Sequence, residues 1–338
     1  MNNILIIYTG GTIGMVNDPK TGALIPFDFQ QIQQNVPELA RLNYNLDVYS
    51  FDPIIDSSNM TPEIWGDIAQ LISEKYEEFD GFVILHGSDT MAFTASALSF
   101  MLENLSKPVV LTGSQLPIGE IRTDAKENLI TALEIAATKK NGRAMIPEVC
   151  IYFDYQLYRG NRSIKYNSEK FEAFRSPNYP ILAEAGVTLS FFGNYILPQP
   201  KAGLKVHLNL NPNIGVLKLY PGISAQAVQA ITMSSVDAIV LETFGSGNTT
   251  TAEWFLDCLQ EAINSGKIIV DITQCKRGSV ELGLYQTSKR LQQMGILSGY
   301  DMTFEATTTK LMYLMGKGLE RPELSKLMQQ SLRGELTV

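Results

Sequence analysis

Short apolar runs that end in Gly, Ser, Thr or Asp alternate along this chain with longer segments of helical period, and few architectures accommodate that alternation. The runs Ile4–Tyr8, Asp47–Ser50, Gly81–Leu85, Pro108–Leu111 and Val149–Phe153 are too short for helices. With helical segments between them they form the pattern of βαβ units, hence an α/β fold around a parallel sheet. Thr61-Pro62-Glu63 reads as an N-cap followed by Pro at the first helical position, and Ile64, Ile68, Leu71, Ile72 and Tyr76 recur at helical spacing behind it. Further helices are expected over Thr90–Leu105 and Ala125–Thr138. Near 193–213 the pattern lapses into a stretch with Pro198, Pro200 and Pro212, which is read as an interdomain connection. The expected domains are therefore 1–192 and 214–338. The second repeats the alternation: strands Ile214–Leu219, Ala238–Glu242 and Ile268–Ile272, helices around Ser224–Ile231 and Thr251–Asn264, then helices Thr307–Met315 and Pro322–Leu332. No repeat of fixed period appears, which argues against a solenoid.

Composition narrows the function classes. The net charge of −8, with acids and bases scattered along the 338 residues, argues against a nucleic-acid partner, which needs a clustered basic surface. The first residues, Met1-Asn2-Asn3-Ile4-Leu5-Ile6-Ile7-Tyr8, lack a basic n-region, and their apolar run stops within a strand's length. No signal peptide or membrane span is read there, and a cytoplasmic location is expected. Cys150, Cys258 and Cys275 lie far apart and are read as reduced packing thiols rather than as disulfide or zinc ligands. With His86 and His207 as the two histidines, a multi-histidine metal site is nearly excluded, and no metal or cofactor is expected.

In a parallel α/β sheet, ligands bind at the carboxyl ends of the strands, where loops converge and helix N-termini offer free N–H groups. Those loops read Thr9-Gly10-Gly11-Thr12-Ile13-Gly14, Asp56-Ser57-Ser58-Asn59-Met60, His86-Gly87-Ser88-Asp89-Thr90 and Thr112-Gly113-Ser114-Gln115. A hydroxyl becomes a useful nucleophile when a neighbour takes its proton, and glycine lets the backbone approach a substrate. Thr12 fits that role; as a turn residue capping the next element it has an equally good structural reading. The glycines do not give G-x-G-x-x-G, and Pro19, Gly22 and Pro26 follow in place of a helix, so a dinucleotide site is disfavoured. Residues 16–26 instead read as a flap. Ser88 beside Asp89 at a helix start can bind an amine or pass a proton, while Asp89 alone is read more readily as an N-cap.

Taken together, "TGGTIG" at 9–14, "DSSNMTP" at 56–62, "LHGSDTMAFTASALSFMLENL" at 85–105, "TGSQLP" at 112–117, "RTDAKENL" at 122–129, "YRGNR" at 158–162 and "DMTFEA" at 301–306 resemble the bacterial-type L-asparaginases, in particular the cytoplasmic type I branch. The likeness runs to "LRGEL" at 332–336. It implies a flavodoxin-like or Rossmann-like sheet in a larger amino-terminal domain, a smaller α/β carboxyl-terminal domain, and a homodimer or homotetramer. It also implies hydrolysis of L-asparagine to aspartate and ammonia by double displacement, with Thr12 attacking the side-chain amide carbon. The assisting triad of hydroxyl, aspartate and lysine falls on Ser88, Asp89 and Lys165. The substrate pocket falls on Asp56, Ser57, Ser58, Ser88 and Asp89, with the serines toward the α-carboxylate and Asp89 toward the α-ammonium. Lys165 carries no signal of its own, since a single lysine is ordinarily a solvated surface charge.

Three positions depart from the family pattern. Ser88 stands where a threonine is usual, and either hydroxyl can serve a relay. The flap, Thr21-Gly22-Ala23-Leu24-Ile25-Pro26, lacks the tyrosine that touches the nucleophile in many members. Tyr300 is the candidate substitute, with an interface aromatic as its structural alternative. Glu242 stands where some relatives have arginine, so allosteric activation is not carried over. Rival readings are a broader glutaminase-asparaginase, since one methylene is discriminated by only about 1–3 kcal/mol, and a non-catalytic amino-acid sensor using the same pocket.

Overall fold

The computed structural model describes residues 1–17, 24–26, 36–283 and 286–337. The chain forms two compact units, Met1–Leu208 and Asn209–Val338. In the first, eight strands build one sheet: β1 Asn2–Tyr8, β2 Tyr44–Ser50, β3 Gly81–Leu85, β4 Val109–Thr112, β5 Val149–Phe153, β6 Gln156–Arg159, β7 Ala183–Ala185 and β8 Leu189–Phe191. Their order is β8-β7-β6-β5-β4-β3-β1-β2. The five strands β2-β1-β3-β4-β5 are parallel, the doubly wound order of flavodoxin-like sheets, and β6 to β8 extend the sheet antiparallel.

The reason is legible in β1. Ile4, Ile6 and Tyr8 join Leu129, Ala132 and Leu133 in one buried cluster, while Leu5 and Ile7, facing the other way by the pleat, are equally buried. A strand apolar on both faces belongs inside a sheet covered on both sides. Leu129, Ala132 and Leu133 belong to α3, Ala125–Ala137. Helix α2, Met91–Met101, is buried at ten of its positions, and α1, Pro62–Glu74, packs on it through Trp65.

One helix boundary expected from sequence is corrected here, and three strands that the sequence did not suggest are found. Helix α2 stops at Met101 rather than reaching Leu105, because Leu102–Glu103 leave the helix to pair with Lys205–Val206. The strands β6 to β8 carried no readable run: they are three or four residues long on either side of turns, and β5 and β6 are joined by a two-residue turn, Asp154-Tyr155, in the left-handed region. Such a turn ordinarily advertises itself with Asn-Gly or Asp-Gly, and this one does not. The expected flap falls partly outside the described residues. What is described of it is the antiparallel pairing of Met15–Asn17 with Leu24–Pro26.

The second unit has a parallel sheet in the order β9-β10-β11-β12: Ile214–Lys218, Ala238–Thr243, Ile268–Thr273 and Leu297–Ser298. Helices α4, Ala225–Thr232, and α5, Glu253–Asn264, contribute Val228, Phe255, Leu256 and Leu259 to its core. Helix α6, Gln286–Met294, was not foreseen from sequence. Helix α7 spans Phe304–Gly316 and α8 Arg321–Met328. The expected continuation of α8 to Leu332 fails because the fully buried Lys310 of α7 takes over its terminal carbonyls: Nζ donates to the Met328 and Gln330 oxygens and pairs with Glu335 at 2.5 Å. The Glu335 carboxylate also accepts the Leu332 and Arg333 amides, so the tail is folded onto an ammonium rather than wound into a helix. Cys150 and Cys258 are buried as expected, but Cys275 is exposed in the loop after β11 and is not a packing residue. Among the described residues no helix is long and apolar enough to cross a membrane, and no group of three or more His, Cys, Asp and Glu side chains is placed to hold a metal.

Two predictions concern this second unit. Both partners of the Lys310–Glu335 pair are fully buried, so Glu335→Ala leaves an uncompensated charge and is expected to lower stability by about 3–5 kcal/mol in urea unfolding. A loss under about 1 kcal/mol would mean that the tail is not held this way. The second concerns Asp271, fully buried on β11, whose Oδ1 accepts from Thr243 and whose Oδ2 has no partner. Burial pushes its carboxyl up to about 7, against the Thr243 bond, which lowers it. The folded unit thus keeps a proton that the unfolded chain has released. This stability is complete below the ordinary carboxylate range and is lost as pH rises through about 7. Asp271→Asn should therefore gain in Tm over the parent as pH rises from about 5 to 8, whereas a constant gap would contradict the assignment.

Candidate active site

The strand order of the first unit reverses between β1 and β3, and at such a switch point the loops leaving the two strands diverge to opposite sides and open a crevice. The loops there are 9–14 and 86–90. Thr9 continues the ladder for one residue, its amide and its hydroxyl both donating to the Leu85 carbonyl. Gly10 and Gly11 then turn away with φ of 141° and 92°. At Gly11 a side chain is excluded twice over: by the positive φ and because a Cβ would stand 2.5 Å from the Gly87 amide nitrogen. Backbone therefore touches backbone, and Thr12 and Ser88, each one residue beyond this contact, start from the same point. Thr12 opens a single 3-10 turn, Thr12–Gly14, closed by the Gly14 amide on the Gly11 carbonyl. The N-cap position of this turn is Gly11, and Thr12 is the turn's first residue.

The loop after β2 is tied to the same place. The Ile55 amide donates to the Thr9 carbonyl at 2.7 Å, and the Thr90 hydroxyl donates to the Ser57 carbonyl at 2.7 Å. Ser57 is buried against Gly87, where an added Cβ would lie 2.4 Å from its hydroxyl. Ser58 and Asp56 are exposed, and Asp56 caps the 3-10 turn Ser57–Asn59 by accepting from the Ser58 amide.

Lys165 comes from far along the chain. It sits on the short strand Ile164–Lys165, paired with Phe174–Arg175, after the buried turn Gly160–Arg162. Its Nζ donates to the Ser88 hydroxyl at 2.9 Å and forms an ion pair with the Asp89 carboxylate. Lys165 is 19% exposed and Asp89 65%, so the cluster is half-sheltered, with its negative member facing open space. Asp89 is therefore not the N-cap of α2. Thr90 occupies that position and spends its hydroxyl on Ser57. Because Ser88 accepts from Lys165, its own proton is free for a third atom.

Sequence reasoning missed the supports beneath these loops. His86 is buried, its Nδ1 lying 2.7 Å from the Gly87 carbonyl oxygen and its Nε2 2.8 Å from the Thr94 hydroxyl, which accepts from the Trp65 indole. Desolvation pushes its pKa down to about 4, against the Gly87 bond, so it is neutral at ordinary pH and has no solvent path to act as a base. Below the fourth loop, Asp124 accepts the Gln115 and Leu116 amides and Asn128 holds the Gly113 carbonyl. Tyr300 lies in the second unit, half-buried after β12 with φ of 52°. A cavity of about 730 Å³ lined by Asp80, Ser106, Lys107, Lys139, Arg143 and Lys201 opens beside residues that precede β3 and β4 and follow α3. Those are the amino ends of the parallel strands, away from the hydroxyl cluster.

Comparison with known proteins identifies the family. Residues 3–196 match the family model "Asparaginase, N-terminal", and residues 213–328 match "Glutaminase/Asparaginase C-terminal domain". The chain belongs to the asparaginase family. L-asparaginase 1 of Escherichia coli K12 is 44% identical to it, over 99% of this chain and 98% of the relative. A human relative, 60 kDa lysophospholipase, is 40% identical over 99% of this chain, which spans 61% of that longer protein. Among solved structures, L-asparaginase I from Vibrio cholerae superposes with a TM-score of 0.91 at 43% identity, covering 100% of this chain and 99% of that one. The α/β class and the two-part asparaginase architecture expected from sequence are therefore found.

The Gly11 contact gives this asparaginase-family site its own test. Gly11→Ala combines backbone strain with a backbone clash and is expected to cost roughly 2–5 kcal/mol in urea unfolding. Parental stability would mean that the two loops do not touch.

Proposed function

We propose that this chain is an L-asparaginase, hydrolysing L-asparagine to L-aspartate and ammonia through a threonyl ester. The observation that carries the reading is the Lys165–Ser88–Asp89 cluster beside the glycine-flanked Thr12, in a chain 44% identical along its length to an L-asparaginase. The hydroxyl of Thr12 attacks the side-chain amide carbon while its proton moves toward the departing nitrogen. The carbon–nitrogen bond breaks, ammonia leaves, and an ester joins Thr12 to the aspartyl group. Water then attacks the same carbon, its proton returns to the Thr12 oxygen, and aspartate is released.

In this scheme Ser88 presents a proton outward because Lys165 already donates to it. Asp89, half-open and paired, keeps its carboxylate available to the substrate ammonium. Ser57 and Ser58 are proposed to face the α-carboxylate, with Asp56 fixing the turn that carries them. We include Tyr300 in the catalytic set as a partner for Thr12; unchanged kinetics in Tyr300→Phe removes it. A cytoplasmic homodimer or homotetramer is proposed with this activity, on the type I likeness and on the free buried thiols of Cys150 and Cys258.

The test is ammonia release from L-asparagine, with L-glutamine alongside. Thr12→Ala is expected to fold and to lose turnover by about 10³-fold or more. Lys165→Met should lose kcat with less change in KM, because its bonds serve proton transfer. Binding of asparagine without ammonia release by the parent protein would replace the enzyme with a sensor.

A further inference from the structure

The hydrogen-bond chain under Ser88 has a fixed direction. At one end the Trp65 indole can only donate, and at the other the Gly87 carbonyl can only accept. Between them, the Thr94 hydroxyl accepts from Trp65 at 2.9 Å and donates to His86 Nε2 at 2.8 Å, leaving His86 Nδ1 to carry the ring proton to the Gly87 oxygen at 2.7 Å. A single tautomer satisfies every member. The chain is buried from His86 to Thr94 and runs from α1 through α2 to the end of β3, so two packed helices set the imidazole.

The acceptor of that last bond is the peptide that precedes Ser88. A peptide unit is planar, so holding the Gly87 oxygen also sets the Ser88 amide and the direction of its Cα. Gly87 has no side chain to brace it, and Gly11 and Ser57, which pack close against it, are both parts of the site itself. The imidazole, itself anchored by Thr94 and Trp65 on the helices outside the loops, is thus a rigid support for the plane from which Ser88 extends. We propose that His86 is a positioning residue for the reaction: its Nδ1–H bond to the Gly87 carbonyl aims the Ser88 hydroxyl at the bond being broken. This rests on the role given to Ser88 above. His86 gains or loses no proton during turnover, and Thr94 and Trp65 act through it.

The two ring nitrogens can be tested separately, because an asparagine amide nitrogen falls near the position of Nδ1 and a glutamine amide nitrogen near Nε2. His86→Asn keeps a donor for Gly87 and loses the link to Thr94. His86→Gln keeps the link and loses the donor. Both cut one buried bond and should lower Tm alike. The proposal predicts different kinetics: His86→Gln should lose roughly ten- to hundredfold in kcat on L-asparagine with little change in KM, while His86→Asn stays within about threefold of the parent. The pH profile of kcat between about pH 5 and 8 should keep its shape in His86→Asn. Equal losses of kcat in both variants, in step with Tm, would overturn the proposal, as would parental kcat in His86→Gln or a profile that loses an ionisation in His86→Asn. Turnover by the parent protein separates these outcomes from a failure of the asparaginase reading, because that reading fails only if the parent itself releases no ammonia.

Discussion

The site depends on one contact, the meeting of Gly11 and Gly87 where the strand order of the amino-terminal sheet reverses. With no Cβ on either side, two loops from neighbouring strands touch through their main chains, and the residues that follow them, Thr12 and Ser88, emerge together. Everything else arranged around the crevice secures this contact. The Thr9 amide and hydroxyl fasten the 9–14 loop to β3, Ile55 and Thr90 bring in the 56–60 loop, and the His86 chain fixes the 86–90 loop from beneath. None of these bonds is made by a carboxylate, ammonium or guanidinium group, whereas Lys165 and Asp89 form an ion pair beside them.

The division of labour follows from burial. Lys165 and Asp89 form an ion pair beside Ser88, and both retain access to water, which avoids the desolvation cost of a fully buried pair. The structure accepts that cost elsewhere, at Glu148–Arg159 in the first unit and Lys310–Glu335 in the second, where additional backbone bonds surround the charges. Those pairs fix chain geometry: the first ties β6 to the segment near 195–197, and the second folds the tail onto α7 and α8. Neither lies among the loops that carry Thr12 and Ser88.

How far the sequence could be read follows the same physics. The five parallel strands and the three helices around them were legible because buried β1, β3, β4 and β5 are apolar runs and the helices carry a 3.6-residue period. The loops were legible from Gly, Ser and Thr clusters at strand ends. What the sequence concealed depends on contacts distant along the chain. Lys165 is 77 residues from Ser88, and nothing local distinguishes it from a surface lysine. Trp65 and Thr94 occupy ordinary helical positions and acquire meaning only through His86. The antiparallel strands β6 to β8 are too short for period two to register, and the buried Lys310 looks like any helix lysine until Glu335 is placed beside it. For Lys165 the family likeness supplied what local pattern could not.

The central claim is that Thr12 carries the reaction covalently. Its most direct test is rapid quenching of the protein during turnover of L-asparagine, followed by proteolysis and mass measurement of the peptide that contains Thr12. The account predicts an added aspartyl group on Thr12, formed as fast as ammonia is released and absent from a Thr12→Ala sample. Steady turnover with no adduct at any quench time, or an adduct on Ser88 with Thr12 unmodified, would contradict it.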